Sequence, residues 1–371
     1  MIEANQKMPD NLEALFEQIQ QSGDQQVDLK GSVNRYLEMK AREKGVPLHG
    51  SFELTPMCNL DCKMCYVHLT QDQMKGRELL KVNQWKGLIQ QAVEAGMLDA
   101  TLTGGECLTY PGFDEIYFFL QELGIKVSIL TNGVLLGKER IELFKRFRSS
   151  VQVSLYGTSD DAYERVTGKR VFEKVIENIF MARDAGLKIS IGITPSRYMG
   201  EEDERLIEFL KDKGIRFFVN ANLYEARKET GRNLEDFDQS LEDYIRLRRY
   251  YMAHRDISIS LDCDEENQTD FDGIGLKCGA GNSGFSIDWQ GNMYACAMLP
   301  DISAQPLRDG FENAWKNIHM AAQRYPNPIE CRGCKYERIC TKCVAVHRDG
   351  ALAGHANKRI CQLAQLITQT V

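Results

Sequence analysis

The twelve cysteines of this 371-residue chain are the residues most able to do chemistry, and ten of them fall into two groups. Three lie within residues 58–65, seven lie within 278–361, and residues 108–262 contain none. A long chain without an apolar N-terminal segment is not typical of a secreted disulfide scaffold. Clustered cysteines in a reducing compartment instead favour metal or iron–sulfur ligation, so we expect a cytoplasmic metalloprotein.

The first group, Cys58, Cys62 and Cys65, has the spacing C-x3-C-x2-C and directly follows a predicted strand. Three thiolates on one tight loop can hold three irons of a 4Fe–4S cube and leave the fourth iron open to a ligand. A structural zinc ion is the alternative, and because zinc normally takes four ligands, His68 would have to supply the fourth. The spacing alone leaves both kinds of site open.

Composition and charge limit the classes of function. Hydrophobic residues make up 43% of the chain and charged residues 27%, as in ordinary globular proteins. No apolar run reaches the roughly 18–20 residues of a membrane span. The net charge of −7 makes the chain a poor general binder of nucleic acid. We therefore expect neither a membrane nor a nucleic-acid partner.

The cysteine-free body that must position these groups alternates short strands with helices. The predicted strands, rich in apolar and β-branched residues, span 51–55, 100–103, 127–131, 151–155, 189–194 and 217–220. The predicted helices span 82–95, 113–123, 138–147, 171–185 and 202–213. Four of them are followed by glycine, where positive φ is favoured: Gly96, Gly124, Gly186 and Gly214. This repetition predicts an α/β fold with a parallel sheet, a partial (β/α)6 TIM-like barrel short of a complete eight-fold barrel.

The texture of the chain divides it into three predicted domains. They are an N-terminal helical extension at 1–48, the barrel at 49–255, and a glycine- and cysteine-rich domain at 256–371. Within the extension we predict helices at 11–20 and 33–44, and a polar helix at 241–254 joins the barrel to the last domain.

Cys58, Cys62 and Cys65, with the aromatic Tyr66 after the last cysteine, resemble the defining motif of the radical S-adenosylmethionine (radical SAM) enzymes. The resemblance implies that the open iron binds the amino and carboxylate groups of S-adenosylmethionine. One electron, delivered by a flavodoxin- or ferredoxin-type donor, then cleaves this cofactor to a 5′-deoxyadenosyl radical that abstracts hydrogen from the substrate. The protein positions the cofactor and excludes water, while the difficult chemistry belongs to the cofactor.

Further residues match the family in order over residues 50–220, most of them at the end of a predicted strand. The cofactor-binding residues that the resemblance implies are Tyr66, Gly104, Gly105, Glu106, Asn132, Ser154 and Ile193. The two glycines and the glutamate resemble a motif that contacts the methionine amino group, and a tight structural turn is the alternative. Ser154 matches a serine that binds the methionine carboxylate, and Ile193 lies where the backbone meets adenine. Ligands collect at this edge of parallel α/β folds.

Two positions near this site depart from the family. Some relatives carry an arginine that pairs with the cofactor carboxylate, at the position of Thr167 here. Arg165 or Arg170 either replaces that arginine or is a solvated surface charge. Cys107 stands where a proline often follows the glutamate, and we predict a buried free thiol there.

The seven C-terminal cysteines resemble the SPASM domain that follows the barrel in a subset of radical SAM enzymes. They are Cys278, Cys296, Cys331, Cys334, Cys340, Cys343 and Cys361. Gly291 and Cys296 predict a hairpin turn that presents a thiolate. Zinc ribbons are the alternative, because cysteine pairs two residues apart often bind zinc. Together with the first motif, the resemblance implies two auxiliary 4Fe–4S clusters.

The family pattern also implies how these cysteines divide between the two clusters. The outer cluster takes Cys331, Cys334, Cys340 and Cys361, and the inner cluster takes Cys278, Cys296 and Cys343. Either Cys263 or a substrate thiolate completes the inner cluster. The spacing between Cys340 and Cys343 is one residue shorter than usual, which makes Cys343 the least regular ligand of the set.

The resemblance implies a peptide-modifying oxidoreductase: hydrogen abstraction is followed by a thioether or carbon–carbon crosslink, and an auxiliary cluster accepts the second electron. The alternatives are a dehydrogenase of a small molecule or of a protein cysteine or serine and, from another class, a non-catalytic zinc-binding scaffold. Ala297 stands where formylglycine-forming members carry an aspartate base, which argues against that reaction. Residues 1–48 are short for a leader-peptide-binding domain, so recognition would fall to the barrel or to a separate protein.

Overall fold

The computed structural model of this protein describes residues 29–220, 222–253, 274–336, 340, 343–348 and 354–369. The predicted helix at 11–20, the domain boundary at 255 and Cys263 lie outside the described residues. Every other cysteine lies within them. In the part of the chain that is described, no helix is long and apolar enough to cross a membrane.

One sheet organises the described residues. Its strands are β1 His49–Glu53, β2 Asp99–Thr103, β3 Lys126–Thr131, β4 Ser150–Ser154, β5 Lys188–Ile193, β6 Phe217–Val219, β7 Gly284–Ile287, β8 Met293–Cys296 and β9 Leu299–Ala304. Their order in space is β6-β5-β4-β3-β2-β1-β7-β8-β9. Strands β1 to β6 pair in parallel with their neighbours, which confirms the predicted α/β partial barrel.

Of the twelve helices within the described residues, seven match a helix predicted from the sequence and end within one residue of its predicted end. The twelve helices cover the sheet. They are α1 Leu29–Lys44, α2 Val82–Glu94, α3 Phe113–Glu122, α4 Lys138–Arg146, α5 Asp160–Thr167, α6 Phe172–Asp184, α7 Glu202–Asp212, α8 Leu234–Phe237, α9 Leu241–Ala253, α10 Pro306–Asp309, α11 Phe311–Arg324 and α12 Lys358–Gln369. The glycines that close α2, α3, α6 and α7 have φ values of 112°, 71°, 76° and 60°, so each occupies the conformation that glycine tolerates best.

The C-terminal region continues the barrel sheet instead of starting a separate one. Strand β7 pairs in parallel with β1, where Phe52 lies opposite Ile287, and β8 and β9 follow in antiparallel pairing. Strand β1 is therefore paired on both sides. The cysteine loop that follows β1 consequently lies between the barrel and the β7–β8 hairpin.

Successive residues of each strand face opposite sides of the sheet, and the two sides differ. On the side facing the helices, Phe52 makes edge contacts with Trp85 and Phe285, with ring centroids 6.0 and 5.9 Å apart. On the other side, the Oγ atoms of Ser128 and Ser150 lie 2.7 Å apart. The apolar core thus lies between the sheet and its helices, while the inner side carries polar groups.

Helix α1 is held to the amino-terminal edge of the sheet by charged side chains. His49 Nε2 lies 2.8 Å from Glu38 Oε2, and His49 Nδ1 lies 3.3 Å from Asp99 Oδ2. Arg42 Nε donates to Glu38 Oε1 at 2.9 Å, and Lys126 Nζ donates to Asp99 Oδ1 at 2.6 Å. This cluster is at the end of the barrel opposite the cysteine loop.

Candidate functional site

The cysteine loop is a tight turn that directs three thiols to one place. Cys65 N donates to Cys62 O at 3.0 Å. Leu60 N lies 3.4 Å from Cys58 Sγ, and His68 N lies 3.3 Å from Cys65 Sγ. Backbone N–H groups therefore already point at two of the three sulfur atoms, as they would at thiolates that hold a metal.

The surroundings of the three thiols keep them protonated unless a cation binds. Burial raises the pKa of Cys58 to about 12 and also raises the pKa of Cys62 and of Cys65. The negative charge of Cys65 or Cys58 further raises the pKa of Cys62, because the sulfur atoms are close together. Metal binding would release these protons, and thiolates are the form that ligates iron.

Two glycines bring the ends of β1 and β2 into contact beside this loop. Gly105 N donates to Thr55 O at 2.7 Å, and Glu106 N donates to Met57 O at 2.9 Å. A Cβ at Gly104 would lie 2.4 Å from Thr55 O, and a Cβ at Gly105 would lie 2.4 Å from Met57 O. Both glycines thus have a structural role, because they let the backbone that leads into Cys58 pack against β2.

Glu106 is a buried carboxylate that ties β2 to the end of β3. Its oxygens accept hydrogen bonds from Thr131 Oγ1 at 2.9 Å, Asn132 N at 2.7 Å and Leu108 N at 3.0 Å. Asn132 Nδ2 in turn donates to Asn59 Oδ1 at 2.7 Å and lies 3.5 Å from Cys58 Sγ. Glu106 therefore fixes the residue that contacts the cysteine loop.

A cavity with about 1050 Å³ of empty space, including its mouth, lies at the carboxyl ends of the strands, and we call it the cofactor cavity. Its lining includes all three thiols of the loop and five of the predicted cofactor-binding residues: Tyr66, Gly104, Gly105, Asn132 and Ser154. Glu106 and Ile193 do not line it; Ile193 O accepts from Asn220 N at 2.8 Å, and the next residue, Thr194, reaches the wall. The donor set and the adjoining space fit a 4Fe–4S cluster with S-adenosylmethionine beside it.

His68, which the zinc alternative requires, lines the same cavity. Its Nδ1 is buried without a hydrogen-bond partner among the described residues, and burial lowers its pKa. Within the ranges that the structure describes, no group of three or more His, Cys, Asp or Glu side chains is arranged around a single metal ion.

The candidate carboxylate-binding arginines lie outside the cavity. Arg165 is exposed, and Arg170 pairs at the surface with Asp161 and, at 3.1 Å, with Glu164. Thr167 is buried, and its Oγ1 donates to Tyr163 O at 2.8 Å. Cys107 is fully buried in the core, as predicted for a free thiol.

Two arginines in the segment after β6, Arg227 and Arg232, form hydrogen bonds to the cysteine loop, and no sequence motif indicated them. Arg227 N donates to Tyr66 O at 3.0 Å. Arg232 donates to His68 O at 3.1 Å and also binds the Asp61 carboxylate. Their partners lie more than 150 residues away in sequence, so no local pattern indicates them.

The C-terminal cysteines approach this site through the hairpin. Gly291, with φ of 88°, and the Asp288 carboxylate, which accepts from Gln290 N and Asn292 N, shape the turn, as the sequence predicts. Cys296 ends β8, and Met298, whose N lies 3.5 Å from Cys296 Sγ, lines the cofactor cavity.

Some of the other C-terminal cysteines lie close to one another. Burial, and then the neighbouring charge of Cys334, raises the pKa of Cys361, so these two predicted outer-cluster ligands are close. Cys331 O accepts from Cys334 N at 3.2 Å. Of the predicted inner ligands, Cys343 Sγ lies 3.9 Å from the hydroxyl of Tyr224, and Cys278 is exposed. The division into two clusters stays a prediction.

Comparison with known proteins bears on the barrel. Residues 52–210 match the family model of the Radical SAM superfamily. The antilisterial bacteriocin subtilosin biosynthesis protein AlbA of Bacillus subtilis (strain 168) is 23% identical over 352 residues, which are 88% of this chain and 75% of that protein. The AdoMet-dependent heme synthase of Methanosarcina barkeri (strain Fusaro / DSM 804) is 26% identical over 322 residues, which are 80% of this chain and 90% of that protein.

Among solved structures, Streptococcus suis SuiB bound to precursor peptide SuiA resembles the chain with a TM-score of 0.66 and 20% identity. The likeness covers 91% of this chain and 82% of SuiB. It therefore extends beyond the barrel and supports the fold as a whole.

Proposed function

We propose that this chain, a radical SAM enzyme, modifies a peptide by hydrogen abstraction followed by thioether or carbon–carbon crosslink formation. The superfamily match carries the enzyme class and, with it, S-adenosylmethionine and a 4Fe–4S cluster as cofactors. A peptide substrate is supported by the bacteriocin biosynthesis protein and by SuiB, which binds a precursor peptide.

The cavities next to the cysteine loop support an extended substrate. Asn222, Leu223 and Tyr224 line the cofactor cavity and also a second cavity beside it. The second cavity lies between the segment after β6 and helix α12, and Leu234 and Leu363 contribute apolar surface to it. A peptide is long enough to occupy both cavities.

In this proposal Cys58, Cys62 and Cys65 hold the first cluster, and S-adenosylmethionine bound beside them supplies the hydrogen-abstracting radical. Of the cofactor-binding residues, those that line the cavity contact the cofactor directly. Glu106 acts through Asn132. The adenine contact predicted for Ile193 is assigned in this proposal to the adjoining Thr194, which lines the cavity.

The C-terminal cysteines are the proposed ligands of two auxiliary clusters. The peptide loses one hydrogen atom to the radical, and closing the crosslink releases a further proton and an electron. The region around Cys296, next to the cofactor cavity, is the proposed place for the acceptor of that electron. The proposed donor of the first electron is a flavodoxin- or ferredoxin-type protein, and the proposed location is the cytoplasm.

Iron analysis of the anaerobically reconstituted chain tests the cluster assignment. We expect about 11–12 iron atoms per chain, because three cubes hold four irons each. About four iron atoms per chain would exclude the auxiliary clusters. A colourless, iron-free protein would point back to zinc.

Co-expression tests the substrate. A short peptide encoded next to this chain should lose two hydrogen atoms per crosslink when both are produced together, as measured by mass spectrometry. The control is the same peptide with a chain in which Cys58, Cys62 and Cys65 are alanine. A peptide of unchanged mass with the intact, iron-loaded enzyme would reject it as the substrate.

A small-molecule substrate is the second candidate. The match to this chain covers 90% of the heme synthase but 75% of the bacteriocin biosynthesis protein. The sequence identity is also slightly higher, 26% against 23%. This candidate predicts oxidation of a small molecule, with 5′-deoxyadenosine formed in proportion, in the absence of any peptide.

A further inference from the structure

A buried ion pair joins the last barrel segment to the first strand. Arg227 Nη1 donates to Glu53 Oε1 at 2.7 Å, and Nη2 donates to Oε2 at 2.8 Å. The Glu53 side chain is 3% exposed and that of Arg227 is 20% exposed. The two-pronged geometry fixes both the position and the orientation of the guanidinium.

The same arginine also holds the cysteine loop through its main chain. Arg227 N donates to the carbonyl of Tyr66, the residue that follows Cys65. Arg227 therefore binds the end of β1 with its side chain and the end of the loop with its backbone, so the pair fixes the loop at a second point beyond the strand that leads into it.

The third element at this place is the β7–β8 hairpin, which carries Cys296. Arg227, Asp288 and Tyr294 line one small cavity with about 330 Å³ of empty space. Tyr294, which lies two residues before Cys296, donates a hydrogen bond from its Oη to Asp288 Oδ2 at 3.0 Å. Asp288 is close enough for its negative charge to act on both Glu53 and Arg227, although burial is the largest influence on the pKa of each.

Stability alone is a weak explanation for this arrangement. Burial raises the pKa of Glu53 to about 7, although the guanidinium opposes the shift. A buried ion pair often stabilises a protein no better than apolar side chains of the same size, and in some proteins its role is to specify one geometry. The two elements that lie beside this pair are the cysteine loop and the hairpin.

We propose that the Glu53–Arg227 pair is a positioning device that holds the cysteine loop and the Cys296 hairpin at a fixed separation. This inference rests on the proposed function, since a fixed separation matters when an electron passes from the substrate at the first site to an acceptor near Cys296. Neither Glu53 nor Arg227 lines the cavity beside the cysteine loop.

Hydrogen exchange on the full reconstituted chain tests the bridge without any peptide. In Arg227→Gln we expect amides in 58–69 and in 288–296 to exchange at least about tenfold faster, because one buried charge loses its partner. Arg227→Lys keeps the charge and should recover part of the protection. Arg140→Gln, which removes an arginine paired with Asp114 on the barrel exterior, is the matched control and should leave both segments unchanged.

A spectroscopic measurement separates positioning from mere support. The relaxation of the electron paramagnetic resonance signal of the first cluster depends on its distance from a neighbouring reduced cluster. It should change in Arg227→Gln and return towards that of the unmodified chain in Arg227→Lys. Glu53→Gln, which keeps the shape of the side chain, should reproduce the effect of Arg227→Gln and decides the matter if the latter does not fold.

The proposal would be overturned if the amides of 58–69 and 288–296 in these variants exchanged at the rate of the unmodified chain. It would also be overturned if exchange became faster in only one of the two segments. Faster exchange with unchanged relaxation would reduce the pair to a structural support. About four iron atoms per chain would instead reject the auxiliary clusters of the proposed function, while the exchange measurement would still test the bridge.

Discussion

The cysteine loop at 58–65 and the cysteine segment at 331–343 differ in how the protein holds them. Asp61 N donates to Thr167 O at 2.9 Å and Lys63 N to Val166 O at 3.0 Å, and contacts to Asn132 and Arg232 add to these. The loop is therefore tied to three other parts of the barrel.

Within its described residues, the backbone hydrogen bonds of the C-terminal segment are local. Cys334 N donates to Cys331 O at 3.2 Å, and Cys340 N donates to Tyr336 O at 3.0 Å. Among its described residues, none between 326 and 343 belongs to the hydrophobic core. We therefore expect that in the first region the protein shapes the site for the metal, whereas in the second the metal would have to shape the protein.

The largest effect that this comparison predicts is on cofactor cleavage. Changing Cys58, Cys62 and Cys65 together to alanine should abolish 5′-deoxyadenosine formation, measured by chromatography with dithionite as reductant. Because hydrogen bonds to α5, Asn132 and Arg232 also hold the loop, the melting temperature should stay within about 2–4 °C, the shift expected for about 1 kcal/mol. Collapse of the barrel would break the comparison, and retained 5′-deoxyadenosine would refute the ligand assignment.

The second prediction concerns the segment that the metal is expected to shape. Cys334→Ala should make the region 329–369 at least about tenfold more sensitive to protease, since ligation contributes folding free energy there directly. Cleavage of S-adenosylmethionine should survive, because the proposed ligands of the first cluster lie in the barrel. Product formation should be lost. The measurement is limited proteolysis followed by mass spectrometry.

Cys107→Ala is the matched control, since it removes a buried thiol that is not a predicted ligand. It should leave the iron content and the protease pattern unchanged. A well-folded Cys334→Ala protein that makes product at the normal rate would show that the outer cluster is dispensable.

The same comparison explains what the sequence could predict. The barrel strands and most of its helices were predictable because glycines and β-branched runs act locally. Helix α5 was missed although the signals were there: Ser159 Oγ accepts from Ala162 N, and Gly168, with φ of 70°, ends the helix. The parallel pairing of β7 with β1 was not predictable, because a four-residue strand does not specify its partner.

The residues of the site likewise divide into those that local motifs predict and those that only the fold brings together. The first three cysteines and the residues that line the cavity follow from motifs of fixed spacing. Glu53 and Arg227 are 174 residues apart, and only the fold brings them together. Glu106 was identified by its motif, but its burial behind the cavity wall follows from Thr131 and Asn132, which surround its carboxylate.

The third prediction tests how closely the barrel controls its loop. In Gly105→Ala the new Cβ would lie 2.4 Å from Met57 O, so the backbone before Cys58 must move. Such overpacking typically costs about 1–3 kcal/mol, and we expect S-adenosylmethionine to bind about tenfold more weakly. Gly137→Ala is the control, since a Cβ there meets nothing within 4 Å. Unchanged affinity in isothermal titration would mean that the loop adapts, as the C-terminal segment is expected to do.

The smallest effect lies at the opposite end of the barrel, where no cysteine is involved. Hydrogen bonds to Asp99 and then to Glu38 raise the pKa of His49 from 6.5 to about 9. A raised pKa in the folded state means that protonated His49 contributes stability fully below about pH 6.5, and that this contribution is lost as the pH rises through about 9. The pKa of Asp99 is lowered, and that of Glu38 is lowered to about 2 by its hydrogen bonds although burial opposes this, so both partners stay charged over this range.

Half-exposed ion pairs are worth about 0.2–1 kcal/mol each, so His49→Gln should lower the melting temperature by about 2 °C at pH 6. The gap should narrow by pH 9.5, because the wild-type histidine has then lost its charge. Cofactor cleavage should be unaffected at either pH, since the ion-pair cluster does not touch the cysteine loop. A gap that is the same at both pH values would mean that α1 is held by packing and neutral hydrogen bonds and that the charge on His49 contributes nothing.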